Sequence, residues 1–244
     1  MNARFLLPAL LAAASLHAAG LHLESGPARV AVIELYTSEG CSSCPPADRW
    51  LGALRTDPGL WKDFVPMAFH VNYWDHLGWK DRLSSPELTA RQYAYASALG
   101  MSQVYTPCFF RDGEEWRPLW GSPPKAGQPA GRLTVDLDGD HCRITYVPSE
   151  AATAARLVHV ALLGGGLSSR VTAGENSGET LLHEFVVVGL ADGALDVSSP
   201  GGPARAVVAL PQARVPDLGR RALAVWVTRP GELTPIQATG GWIP

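Results

Sequence analysis

Positive charge is what this sequence has little of. Its 20 Lys and Arg are set against 23 Asp and Glu, a formal net charge of −3, and no sustained basic face is formed, which argues against nucleic acid and anionic membrane as partners. Long apolar runs are scarce as well: the stretch from Phe5 to Leu16 is too short to cross a bilayer. There is no repeat of fixed period and no low-complexity tract. Cysteine is sparse, with four in 244 residues, and none stands near Ala18 or Ala19, so neither a membrane anchor nor a lipidated N-terminus is expected.

What is present begins with an export signal. Met1-Asn2-Ala3-Arg4, the apolar run and His17-Ala18-Ala19-Gly20 have the layout of a secretory leader, so residues 1–19 are set apart from the fold. A periplasmic or secreted location is expected, with no membrane span after processing, and the cysteines then face an oxidising compartment where paired chemistry is allowed. The remaining chain is 46% hydrophobic over its whole length, ample for one large or two modest cores.

Val30 to Tyr36 is short, apolar and β-branched and runs into the polar stretch Thr37-Ser38-Glu39-Gly40, a buried strand entering a loop. Ala47, Trp50, Leu51 and Leu54 then recur at helical spacing until Pro58-Gly59. Phe64 to Val71 reads as a second strand, followed by a Trp-rich loop over residues 72–79. Ser85 with Pro86 opens a further helix that Gly100 is placed to close. Cys108-Phe109-Phe110, the turn pair Asp112-Gly113 and Trp116 to Trp120 predict an antiparallel hairpin. Beyond the Pro- and Gly-rich segment 121–131 the pattern changes to short alternating runs at 133–137, 143–147, 157–163, 185–190, 206–210 and 222–227, predicting an all-β region.

The chemistry is carried by Cys41-Ser42-Ser43-Cys44. Thiol/disulfide exchange needs one thiolate and a second sulfur close enough to resolve a mixed disulfide, and two intervening residues on a turn entering a helix supply that arrangement. Cys41 is the expected attacking thiol, exposed to solvent, and Cys44 the resolving one. Pro45 and Pro46 are tolerated only in a first helical turn, so the helix is expected to start near Cys44, with Cys41 just outside it. Thr106-Pro107 precedes a short strand and a turn, where thioredoxin-like proteins place a cis proline beside the disulfide; a trans proline at a strand start is the other reading. Strand, cysteine pair, helix and Thr-Pro together predict an α/β thioredoxin-like N-terminal domain over residues 27–121, and a small all-β, sandwich-like C-terminal domain over 131–244.

The stretch from Glu34 to Asp48, the segment from Phe69 to Asp81, Tyr105-Thr106-Pro107, Asp112-Gly113 and Gly174-Glu175-Asn176 resemble the secreted thioredoxin-like family called domain of unknown function 1223. The resemblance spans most of the mature chain and implies export and a redox role at the cysteine pair. Cys108 stands where the family has Gln, Ala173 where it has Arg, and the family's helix after the hairpin is replaced by segment 121–131.

Other candidates keep two readings each. Cys108 and Cys142 form a disulfide, or are two buried free thiols, or Cys108 is a third redox thiol beside Cys41. His70 joins Cys41 and Cys44 in a copper or zinc site, or hydrogen-bonds within its loop, as does His76. Glu34 is a buried proton acceptor for Cys44 or faces solvent. Trp74 and Trp79 anchor their loop or form a peptide platform. The expected function is an exported thiol/disulfide oxidoreductase without a cofactor, acting through Cys41, Cys44, Thr106 and Pro107 on a protein or small thiol/disulfide substrate. The alternative is a non-catalytic or metal-carrying protein in which the cysteine pair is a ligand set or a clip.

Overall fold

A computed structural model describes residues 20–118, 121–150, 154–197 and 201–244. The expected leader, and positions 119–120 at the end of the predicted hairpin strand, lie outside the described residues.

Strand β1 (Leu21–Glu24) precedes β2 (Ala31–Thr37), helix α1 (Pro45–Ala53), β3 (Phe64–His70), helix α2 (Pro86–Leu99) and the hairpin β4 (Cys108–Arg111) and β5 (Glu114–Trp116). The chain continues as β6 (Arg132–Asp138), β7 (His141–Val147), β8 (Arg156–Gly165), β9 (Leu167–Arg170), β10 (Thr180–His183), β11 (Val186–Val197), β12 (Ala204–Ala209), β13 (Arg220–Thr228) and β14 (Gln237–Ile243).

Local chemistry explains the element ends. Both prolines of α1 sit in its first turn, where no N–H is required, and Cys44 is its N-cap. Ser85 Oγ accepts from the Leu88 N–H at 3.2 Å to open α2, and Gly100, with φ of 65°, closes it in the left-handed region. Asp112 and Gly113 have φ of 54° and 92°, the two positive values that a tight hairpin turn between β4 and β5 demands.

The predicted fold class is overturned. In place of an α/β thioredoxin-like domain followed by a small sandwich, the chain is mostly β, and α1 and α2 are its only α-helices among the described residues. A single mixed sheet of 12 strands draws on both halves, in the order β1-β6-β7-β12-β11-β3-β2-β4-β5, with β8 joining β11 to β13 and β13 pairing β14. The join is made where Val186 of β11 lies in parallel register with Ala68 of β3 and the Ala68 N–H donates to the Phe185 carbonyl at 2.8 Å. Alternation along a strand assigns it a buried face but no neighbour, which is why sequence patterning separated strands that the sheet unites.

The same alternation divides the core. Ala161 and Leu163 of β8 and Ala222, Ala224 and Trp226 of β13 pack with Val32, Leu35, Phe64 and Phe69. Their alternating neighbours Val158, Val160, Leu162, Leu223, Val225 and Val227 pack on the other face with Leu133, Ile144 and Val188. Cys108 belongs to the first cluster and Cys142 to the second, and both are buried free thiols, so the disulfide between them is not formed. Burial pushes each thiol up to about 11, which disfavours the thiolate form of Cys108 that a third redox thiol would need.

Candidate active site

Strands β2 and β3 run parallel, and their C-terminal ends at Thr37 and His70 are in register. The loop leaving β2 is drawn tight before α1. The Cys41 N–H donates to Ser38 O at 3.2 Å, and the Gly40 N–H to Ser38 Oγ at 3.1 Å. Gly40 is required here, because a Cβ at that position would meet Trp74 Cβ at 2.9 Å. The Cys44 carbonyl accepts the first helical bonds, from Ala47 at 2.9 Å and Asp48 at 3.1 Å.

All four residues singled out in the sequence meet. Cys41 Sγ lies 3.2 Å from Ser43 Oγ and 3.6 Å from the Thr106 carbonyl oxygen, and the Thr106-Pro107 peptide bond is cis. Hydrogen bonding from Cys44, helped by Ser43 and opposed by partial burial, holds the Cys41 thiol down to about 6. Burial first, and the adjacent Cys41 sulfur second, push the Cys44 thiol well above the ordinary range. The pair is therefore polarised into one thiolate and one thiol.

The expected exposure is not found: Cys41 is 1% and Cys44 0% exposed. Ser42 and Ser43 are the exposed residues of the motif, and a strap from the loop between β9 and β10 bonds to the cysteine loop beside them. Glu175 accepts from both the backbone N–H and the hydroxyl of Ser42 at 2.8 Å. Asn176 Nδ2 donates to the carbonyls of Glu39 and Cys41, each at 2.9 Å. The Gly174-Glu175-Asn176 segment is thus packed on the cysteine loop itself. Trp74 Nε1 donates to Thr106 Oγ1 at 2.7 Å and Trp79 Nε1 to Glu39 Oε2 at 2.7 Å, so both indoles anchor their loop to the site. His76 bonds the Tyr73 carbonyl at 2.7 Å within that loop.

Glu34 does not serve Cys44. It is buried and held by Arg91 at 2.8 and 2.9 Å and by the hydroxyls of Tyr36 and Tyr95. Burial raises its pKa, but Arg91 and the hydroxyl donors outweigh burial and hold the carboxyl below the usual carboxylate range. The carboxylate that sequence reasoning missed is Asp48, buried on the same face of α1 as Ala47 and Leu51. The one signal available was its spacing, three positions before Leu51 and one turn beyond Cys44, and an acidic residue in a first helical turn reads equally as solvated. Glu39, Asp81 and His183 were missed as well. The first two lie inside segments quoted for their motif rather than their charge, and His183 reads as one polar residue in a short β run.

The metal set expected from His70, Cys41 and Cys44 is not gathered. Among the described residues, the group whose ligand atoms come together is Asp48, His70 and His183, with neither cysteine in it.

Over residues 32–228 the chain matches the family described as "Protein of unknown function (DUF1223)". Two solved structures are similar to it. One is the crystal structure of a protein from Agrobacterium tumefaciens, 27% identical, with a TM-score of 0.61, covering 87% of this chain and 94% of that one. The other is HBP35 of Porphyromonas gingivalis, 15% identical, also with a TM-score of 0.61, covering 89% of this chain and 76% of that one. At that identity the second likeness speaks to the fold alone. No curated protein matches the chain.

Proposed function

We propose, from the premise that this chain belongs to the family of proteins of unknown function (DUF1223) and from the chemistry at Cys41, that it is an exported thiol/disulfide oxidoreductase. The observation that carries the reading is the geometry at the start of α1, where Cys44 is the N-cap and Cys41 Sγ lies 3.2 Å from Ser43 Oγ and 3.6 Å from the Thr106 carbonyl oxygen, an arrangement that lowers the Cys41 thiol and raises that of Cys44. The sequence of residues 1–19 supports export to the periplasm or beyond.

In the reducing direction, the Cys41 thiolate attacks one sulfur of a substrate disulfide. A bond forms between Cys41 and that sulfur, and the other substrate sulfur leaves as a thiolate that takes a proton from water. Cys44 then gives its proton to the second departing sulfur and attacks Cys41. The protein ends as the Cys41–Cys44 disulfide and the substrate as two thiols, so two electrons have moved from protein to substrate. The oxidising direction is the reverse. Substrates are proteins or small molecules carrying a thiol or a disulfide. Cys41 is buried, so a neighbouring segment must move for either to reach it, and the Glu175–Asn176 strap, hydrogen-bonded to Ser42, Glu39 and the Cys41 carbonyl, is the segment we assign to that movement.

The test is intact-mass analysis of the reduced protein mixed with oxidised glutathione or an aromatic disulfide. Cys41→Ser is expected to abolish exchange, and Cys44→Ser to accumulate a mixed disulfide at Cys41. Exchange that survives in Cys41→Ser would place the attacking thiol elsewhere and end this reading.

A further inference from the structure

Under the cysteine loop, three elements bring one side chain each to a common point. The ligand atoms of Asp48 from α1, His70 from β3 and His183 from β10 lie within 4.8 Å of one another. All three residues are buried, the two histidines at 0% and 2% exposure. His70 Nδ1 is 2.7 Å from Asp81 Oδ2, and His183 Nε2 is 3.1 Å from Glu39 Oε1. Each imidazole therefore has one nitrogen engaged by a buried carboxylate, which fixes the ring's orientation and its tautomer.

The other two nitrogens, Nε2 of His70 and Nδ1 of His183, have neither a hydrogen-bond partner nor solvent. A buried polar atom left unpaired costs about 1–3 kcal/mol. A fold built only for stability has no reason to retain two of them on rings whose centroids are 4.9 Å apart. Asp48 completes the set, oriented by the Thr37 hydroxyl, which donates to its Oδ2 at 2.9 Å. A cleft of about 120 Å³, lined among others by Pro45, Arg49, Thr180 and Leu181, opens onto Asp48 and His183 and supplies a path in.

We propose that Asp48, His70 and His183 bind one divalent first-row transition ion of the zinc class, with a fourth position facing the cleft and no cysteine among the ligands. Two carboxylate-oriented imidazoles and one carboxylate are the donor set such ions take, whereas calcium and magnesium call for oxygen ligands throughout. The three donors already lie within 4.8 Å of one another. Asp81 and Glu39 are positioning residues, acting through the rings they hold. The site stands independently of the exchange reaction proposed above, since it draws on neither sulfur.

The experiment loads the reduced, full chain with Zn²⁺ or Co²⁺ alone at neutral pH and removes excess metal by gel filtration. One equivalent is expected to remain, and the Co²⁺ form should show visible d–d bands without a near-ultraviolet thiolate-to-cobalt band. The Cys41→Ser/Cys44→Ser double variant should bind equally well, and Asp48→Asn should not retain metal. Glu39→Gln and Asp81→Asn should weaken binding about 10–100-fold, the range for removing a group that orients a ligand.

Should the variants fail to fold, the wild-type chain decides alone. In ¹⁵N spectra of the imidazoles, Zn²⁺ should move Nε2 of His70 and Nδ1 of His183 and leave His22, His76, His141 and His159 in place. No retained equivalent, a thiolate-to-cobalt band, loss of binding in the double cysteine variant, or unmoved His70 and His183 signals would each overturn the proposal.

Discussion

Among the described residues, two clusters of buried charged side chains are built on opposite terms. In one, Glu34 of β2 receives Arg91 of α2 at both carboxylate oxygens, with Tyr36 and Tyr95 adding hydroxyl bonds. The Arg91 guanidinium also lies over the rings of Phe69, Tyr95 and Trp226, at 5.3 to 5.5 Å. No side-chain polar atom of Glu34, Arg91, Tyr36 or Tyr95 is buried without a partner. In the other, Glu39, Asp48, His70, Asp81 and His183 are linked, yet two imidazole nitrogens stay orphaned. A saturated cluster ties a helix to a sheet; the unsaturated one is where we propose that a metal ion binds. The second cluster also adjoins the cysteine loop through Glu39, whose N–H donates to Asp81 at 3.0 Å and whose carbonyl accepts from Asn176.

The contrast can be broken by perturbing each side separately. The largest effect belongs to the saturated cluster: Arg91→Met leaves Glu34 buried and unpaired and should cost about 3–5 kcal/mol in chemical denaturation. Alkylation of Cys41 in the folded fraction should be unchanged; a parallel change would mean that the two regions are one unit.

Next in size is the strap. Asn176→Ala removes both donors to the Glu39 and Cys41 carbonyls, with a stability cost of about 1–3 kcal/mol and faster iodoacetamide labelling of Cys41. An unaltered labelling rate would show that the strap is not what covers the sulfur.

The pH dependence comes third. Only the thiolate reacts, so labelling of Cys41 should be half-maximal near pH 6, level above it and fall away below it. Because folding lowers this pKa, the stability gained by ionising Cys41 is complete above the ordinary thiol range and is lost as the pH drops through about 6. Comparing denaturation midpoints of the reduced wild type and Cys41→Ser at pH 6 and pH 9 checks the sign, since the variant should lack that dependence.

The smallest effect is a refinement of the same curve. Ser43→Ala removes one donor to the thiolate, worth about 1 kcal/mol, and should raise the midpoint by less than one pH unit.

Much of the local structure was legible. Ser85, Pro86 and Gly100 announced α2 at both ends, Asp112-Gly113 announced the β4–β5 turn, and the paired prolines placed the start of α1 at the second cysteine. Each signal acts through the backbone preferences of one to four residues, and those preferences do not depend on the rest of the chain. The fold class was not legible, because β11 pairs with β3 across most of the molecule and an apolar alternating run carries no record of its partner. Asp48 shows the same limit at the level of one side chain: an acidic residue in a first helical turn reads as a solvated dipole partner until another strand covers it.

By itself, then, the sequence determined the cysteine pair at the mouth of α1, the start of α1, both ends of α2 and the β4–β5 turn, since all of these follow from steric and hydrogen-bonding rules that operate over a few residues. Tertiary structure alone decided that Glu175 and Asn176 bond to the cysteine loop and that Asp48, His70 and His183 converge. Both require strands far apart in the chain to lie side by side, and that pairing is selected by burial of the whole sheet rather than by any of the segments it joins.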